Sequence, residues 1–290
     1  MWLGFFLYSI LEKFIPICEQ KGDIEKVKLY KDKKEILKKA LNTIGWDGRW
    51  YRRAFTDNDE ILGSIEAEEC KIDSISQSWA TISNAGDNDK KYISMENLEN
   101  YLVDKENQII KLLDPPFEKS ALEPGYIKSY LPGVRENGGQ YTHGAIWVII
   151  AQSMLGFGEK ATQFFNMINP IEHTRTKTAV NKYKVEPYVI PGDVYGIGSL
   201  AGRGGWTWYT GSSSWYYKAG IEYILGLKIE KQYLKIEPNI PSTWKEYSIR
   251  YRYRKSNIQY KSKKSKWKNK WSRRIYTKWK QNRRKTNKIG

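Results

Sequence analysis

Helical periodicity comes in pairs along this chain, and long aromatic and polar loops fall on alternate connections. Apolar residues recur at helical spacing over 2–20 and again over 24–42, with only "KGD" between, which predicts an antiparallel helix pair. Residues 46–64 have no helical period and many turn formers, so they predict a long loop with short strands. "KIDSISQSWATISNAG" predicts a helix capped by Asp73 or Ser74 and stopped by Gly86. A further helix is predicted over 88–106, then a long irregular segment over 112–133, then helices at about 140–156, 158–168, 185–198 and 206–225. A bundle with short loops has no use for such connections, and loops of this length are usually functional. A toroid of helical hairpins, with every second loop at one rim, accounts for them.

After Gly226 the apolar period changes to two, in "LKIEKQYLKIEP" and "YSIRYRYR", which predicts strands of a second, β-type unit. The formal net charge of +17 is concentrated at the far end. Residues 247–290 hold 18 Lys and Arg and no acid, leaving 31 basic against 32 acidic residues over 1–246. The body is near neutral. From 255 the stretch "KSNIQYKSKKSKWKNKWSRRIYTKWKQNRRKTNKIG" is expected to be a disordered basic tail, of a composition that a frame-shifted reading of an A-rich gene would produce. Its charges and three Trp would bind polyanions only in a salt-dependent, non-specific way, so no specific nucleic acid is expected. The first apolar run, about ten residues long and broken by Glu12-Lys13, is too short to span a bilayer and lacks a basic leader. With two cysteines, Cys18 and Cys70, read as buried free thiols, the chain reads as soluble and cytoplasmic.

One stretch concentrates chemistry. "PGVRENGGQYTHGAIW", 132–147, sets Arg135, Glu136, Asn137, Gln140, Tyr141 and His143 around Gly138-Gly139, just before a strongly apolar run. Read plainly, this is a turn followed by a polar helix cap from Gln140 and Thr142. Read functionally, backbone amides at a helix start beside Arg135 and His143 suit an anion, and Glu136 suits a neutral polar ligand. Nine Trp precede residue 247, many among Gly, Thr and Ser as in "GRGGWTWYTGSSSWYY". Such faces either stack on sugar rings or fill a helical core.

Five motifs in order, "WDGRWYRRAF", "ECKIDSISQSWATIS", "GYIKSYLPGVRENGGQYTHGAIW", "YKVEPYVIPGDVY" and "GRGGWTWYTGSSSWYYKAGIEYILGL", resemble the cellobiose- and chitobiose-phosphorylase-like glycoside hydrolases, the glycosyltransferase 36 type. Within them the resemblance is closest to the C-terminal domain of cyclic β-1,2-glucan synthases, and it runs from about Trp2 to Arg252. It implies a mainly α fold: the C-terminal part of an (α/α)6 toroid over 1–225, then the first strands of a jelly-roll-like β domain over 226–254. It also implies an inverting mechanism on β-glucan oligosaccharides, with inorganic phosphate as co-substrate and no cofactor. Phosphate replaces the base-activated water of inverting hydrolysis. His143, Thr210 and Gly211 resemble the family's phosphate-binding residues. The sugar-facing set is Glu136, Arg135, Gln140, Arg203 and Trp208. Arg203 either orients the pocket or caps a turn, and Trp206 and Trp208 are rim or core aromatics. Gly192 stands where phosphorylases of the family often carry a phosphate-touching glutamine, and the glucan-synthase branch tends to a small residue there. His173 is expected at the surface or behind the site.

In relatives the general acid sits in an Asp-Trp-Asn-Asp-Gly motif shortly before the segment matching "WLGFFLYSILEKFIPICE". Here that segment starts at Trp2, so the resemblance implies that the acid lies outside these residues and that they are inactive alone. Exposed apolar faces, weak stability, and dependence on a complementing N-terminal region or a homodimer are then expected. The alternatives are a non-catalytic remnant that binds sugar or phosphate, and a polyanion binder acting through the basic tail.

Overall fold

Gly22 ends α1 (Trp2–Lys21) by taking φ 71°, a left-handed conformation open to glycine at little cost. Asp23 then accepts from the Lys26 amide at 3.1 Å and starts α2 (Ile24–Asn42). Gly4, near the start of α1, lies against Leu41, near the end of α2, so the pair is antiparallel as the periodicity predicts. The computed structural model describes residues 1–253, 256–263 and 275–278, apart from Leu122, Tyr209, Lys231 and Gln232.

The described part is mainly helical. After the first pair come α3 (Ser74–Ile82), α4 (Asn88–Leu102), α5 (Thr142–Met154), α6 (Gly158–Met167), α7 (Lys177–Tyr183) and α8 (Ser212–Lys218), the last continuing as a π-helical turn over Ala219–Ile224. The centre is α5, which is buried on every side from Gly144 to Ser153, as a helix apolar all round must be. It packs on α3, α6 and α8. Trp147 meets Trp79 edge-on at 5.5 Å and Trp215 at 5.9 Å.

The loop over 46–64 holds the expected short hairpin, Ala54–Phe55 with Ile61–Leu62. Its buried backbone needs partners. Gln77 of α3 supplies them: Oε1 accepts from the Tyr51 amide and Nε2 donates to the Tyr51 carbonyl, each at 2.8 Å. Asp73 caps α3 through the Ile75 and Ser76 amides and pairs with Arg53 from the same loop. Cys18 and Cys70 are both buried and free.

Two predicted helices need correction. No helix forms over 185–198, because Pro187 and Pro191 each lack an N–H donor, and Asp193–Val194 pairs as a strand instead. The helix taken to span 206–225 begins only at Ser212. In turn α7, missing from the sequence reading, starts where Thr176 Oγ1 accepts from the Ala179 amide at 3.2 Å.

Past Gly226 the period-two stretch forms strands Leu227–Glu230 and Tyr233–Ile236, antiparallel, with Ile275–Lys278 on the outer edge of the second. Glu246–Tyr253 pairs with Ser256–Lys263. Strands therefore continue past residue 255, into the stretch expected to be a disordered tail. The register sets Ile249 opposite Tyr260 and Tyr251 opposite Ile258, and these four pack on Leu227, Leu234 and Ile236. The rest of the basic tail, 264–274 and 279–290, lies outside the described residues. Among the described residues no helix is long and apolar enough to cross a membrane.

On α1 a second apolar stripe lies beside the buried one. Leu3, Leu7, Ile10, Phe14 and Ile17 alternate at spacings of four and three, and all are exposed, Leu3 to 69%. This is the repeat that seats one helix against another. The expected consequence is self-association of the isolated chain. Sedimentation velocity of Leu7→Glu with Phe14→Glu should show a smaller average species, with a melting transition within a few degrees of the wild type. Unchanged association would show that the stripe is not the contact.

Candidate functional site

A two-residue strand pair joins the elements that build the site. Gln140–Tyr141 runs antiparallel to Asp193–Val194, with Tyr141 opposite Asp193. The Thr142 amide, at the start of α5, donates to the Gly192 carbonyl at 3.0 Å. On the other side the Gly192 amide donates to the Trp206 carbonyl at 2.6 Å, and the Gly205 amide to the Asp193 carbonyl at 2.9 Å. Residues 192–193 thus bind the start of α5 to the 204–211 loop.

The turn before α5 is fixed from inside. Asn137 is fully buried; its Oδ1 accepts from the Phe117 amide at 2.7 Å, and its Nδ2 donates to the Phe117 and Tyr130 carbonyls at 2.8 Å. A Cβ at position 139 would lie 2.9 Å from both the Gly133 and Arg135 carbonyl oxygens, so this tight turn requires glycine. Arg135 takes φ 50° within it.

Five residues singled out from the sequence, His143, Thr210, Gly211, Glu136 and Arg135, line one cleft of about 230 Å³. Tyr141, Gly192, Asp193 and Trp206 complete the lining. His143, in the first turn of α5, stacks on Tyr141 with ring centres 5.5 Å apart. Burial holds its pKa below the ordinary value of 6.5, so the ring is a neutral donor and acceptor at pH 7. A Cβ on Gly211 would sit 3.5 Å from His143 Nε2, which puts the Gly211 main chain beside that nitrogen. Thr210 Oγ1 accepts from the Ser212 amide at 3.1 Å and lies 2.7 Å from Ser212 Oγ, so its hydroxyl is fixed in place.

Also in the lining, the Arg135 guanidinium lies between the Tyr130 ring at 5.4 Å and the Trp206 ring at 5.1 Å. Glu136 Oε2 and Asp193 Oδ2 are both buried without a hydrogen-bond partner. Asp193 Oδ1 accepts from the Trp206 amide at 2.8 Å. Burial raises the Asp193 carboxyl above the usual carboxylate range, with Glu136 adding to the effect and the Trp206 amide and Arg135 opposing it. Neutral donors and unpartnered carboxyl oxygens line the same cleft. Such a cleft suits a ligand with an oxyanion joined to a hydroxyl-rich body.

The remaining sequence candidates lie elsewhere. Gln140 does not line the cleft: it is 1% exposed, and its Oε1 accepts from the Ile110 amide at 3.0 Å, holding the framework beneath the strand pair. Arg203 is exposed outside the cleft, where its backbone bonds Leu200 and Tyr195. Trp208 takes φ 68° and points out, its Nε1 donating to Glu186 at 3.2 Å. Trp206 is at the rim, 51% exposed. His173 is buried and stacks on Tyr183 at 4.5 Å, contrary to a surface position. Asp193 was missed, and Tyr141 was named in the 132–147 stretch without a role. The available signal for Asp193 was a lone acid in a stretch, "VIPGDVY", that otherwise reads as buried.

Fold and cleft together define a mainly helical domain that gathers polar and aromatic residues on loops around one helix start. Residues 1–226 match the glycosyl hydrolase 94 superfamily catalytic domain, and the chain belongs to that family. It is 48% identical over 252 residues to cyclic beta-(1,2)-glucan synthase NdvB of Rhizobium meliloti (strain 1021), covering 87% of this chain and 9% of that protein. It is 30% identical over 225 residues to solabiose phosphorylase of Paenibacillus borealis, covering 75% of this chain and 28% of that one. Identity to N,N'-diacetylchitobiose phosphorylase of Vibrio proteolyticus is 27%, over 87% of this chain and 31% of that protein. This chain therefore spans less than a third of the length of each of these relatives. A solved structure titled sialidase shares the fold at TM-score 0.55 and 13% identity, over 85% of this chain and 22% of that one.

Burial lowers the pKa of both histidines. A depressed histidine binds its proton more readily in the unfolded chain, so its contribution to stability is full above pH 6.5 and is lost as pH falls below that value. An NMR titration of the histidine ring signals should find both midpoints below 6.5, with inorganic phosphate moving the His143 midpoint upward and leaving His173 in place. A His143 midpoint at or above 6.5 in the free protein would contradict the burial account.

Proposed function

We propose that this chain supplies the phosphate- and sugar-facing wall of an inverting glycoside phosphorylase or cyclic β-1,2-glucan synthase type domain acting on β-glucans. The observation that carries the reading is the meeting of His143, Thr210 and Gly211 with Glu136, Arg135 and Trp206 in one cleft. Phosphate sits at the His143 end, held by the imidazole, the Thr210 hydroxyl and the Gly211 amide. The pyranose ring lies toward Glu136, whose unpartnered Oε2 accepts from sugar hydroxyls, under the Arg135–Trp206 rim. A phosphate oxygen attacks the anomeric carbon from the face opposite the leaving group. The glycosidic C–O bond breaks, its oxygen takes a proton from a carboxylic acid, and a sugar 1-phosphate of inverted configuration results. Since phosphate is already a nucleophile, no second carboxylate is needed to activate water.

Neither Glu136 nor Asp193 is assigned the acid's role. The chain's helices form the C-terminal part of an (α/α)6 toroid, and the strands after Gly226 begin a jelly-roll-like β domain. The exposed stripe on α1 supports this partial toroid, because a preceding helix, or a second copy of the chain, would cover it. Free inorganic phosphate as co-substrate fits a cytoplasmic setting.

Calorimetric titration with inorganic phosphate tests the reading without requiring turnover. Wild type should bind at one site, and His143→Ala should weaken binding by about tenfold or more, the worth of one hydrogen bond to a charged group. Equal binding by both proteins would overturn the assignment.

A further inference from the structure

We propose that Asp193 selects the oxyanion: its Oδ2 shares a single proton with the bound ligand, so the pocket takes phosphate and rejects sulfate. This rests on reading the cleft as a phosphate site. The Asp193 side chain is 3% exposed, and Oδ2 is buried without a hydrogen-bond partner, although the cleft it lines is polar. Its orientation is fixed. The Trp206 amide holds Oδ1 at 2.8 Å, and a Cβ on Gly205 would lie 2.5 Å from both carboxyl oxygens.

The groups around it come from every neighbouring element. Tyr141 faces it from the paired strand, Arg135 and Glu136 from the turn, His143 from α5, and Thr210 from the loop before α8. Only Arg135 among these is a cation while His143 stays neutral. A phosphate dianion in about 230 Å³ therefore lies close to two carboxyl groups and meets like-charge repulsion unless a proton stands between. Burial already favours the protonated form of Asp193.

Inorganic phosphate near neutral pH keeps at least one O–H, which can be donated to an Asp193 carboxylate. Sulfate has no proton to give and can bind only when Asp193 brings its own. Discrimination should therefore widen as pH rises through the Asp193 pKa. An asparagine at 193 keeps the oxygen that faces the Trp206 amide, and its NH2 donates to either anion at any pH.

The test is calorimetric titration of the full chain with sodium phosphate and with sodium sulfate, for wild type and Asp193→Asn. For wild type at about pH 8, phosphate should bind at least about tenfold tighter than sulfate, and the gap should narrow at a second, acidic pH at which Asp193 is protonated. For Asp193→Asn, the two affinities should lie within about threefold of each other at both pH values. Phosphate binding by wild type without discrimination, or a gap that survives in Asp193→Asn, overturns the role of Asp193 and leaves the pocket reading intact. Loss of phosphate binding in a folded Asp193→Asn also overturns it. Binding of neither anion by wild type overturns both. If Asp193→Asn fails to fold, the wild-type pH trend alone decides, and a constant ratio refutes the proposal.

Discussion

The pairing of Gln140–Tyr141 with Asp193–Val194 is the constraint on which the rest of the site depends. It is only two residues long, and isolated pairings of that size have little stability of their own. It holds because its surroundings are rigid on both sides. Gln140 reaches the buried Ile110 amide, Thr142 opens the fully buried α5, and Asn137 ties the preceding turn to Phe117 and Tyr130. Three stretches far apart in sequence, 133–143, 192–193 and 204–211, then share one cleft.

The electrostatics of that cleft follow from its burial. Ordinary anion sites collect positive charge, yet here the histidine is held neutral and a carboxyl is held toward its protonated form. Each shift has the same cause: removing water disfavours whichever form is charged. The free site is therefore close to neutral apart from Arg135 and Glu136. A dianion entering it is received by N–H and O–H donors, which are worth more in a low-dielectric cleft than in water. A buried carboxyl oxygen without a partner is costly, and a ligand hydroxyl donating to it would offset that cost.

Much of the fold was legible where local chemistry decides it. Gly22 and Asp23 mark the break between α1 and α2, and the all-apolar run after His143 marks the central helix, since capping and periodicity act within a few residues. The reading failed at 185–198. An apparent helical period there conflicts with Pro187 and Pro191, and the strand that replaces it is chosen by a partner some fifty residues upstream. The same distance explains the uneven reading of the site. His143 and Glu136 share one stretch and were legible, as was the Thr210-Gly211 motif. Asp193 joins the cleft only when the tertiary pairing sets it opposite Tyr141. Gln140 shows the reverse error: a polar residue in a functional stretch that serves the framework, because the buried Ile110 amide needs an acceptor.

The cleft is built around the start of α5, while α1 carries the exposed apolar stripe and the strands past Gly226 form small sheets of their own. The most direct measurement is a crystal structure of the chain grown with inorganic phosphate. The account predicts a tetrahedral anion within hydrogen-bond reach of His143 Nε2, Thr210 Oγ1 and the Gly211 amide, with Asp193 Oδ2 facing one of its oxygens. An anion bound elsewhere, with this cleft holding only water at saturating phosphate, would contradict it.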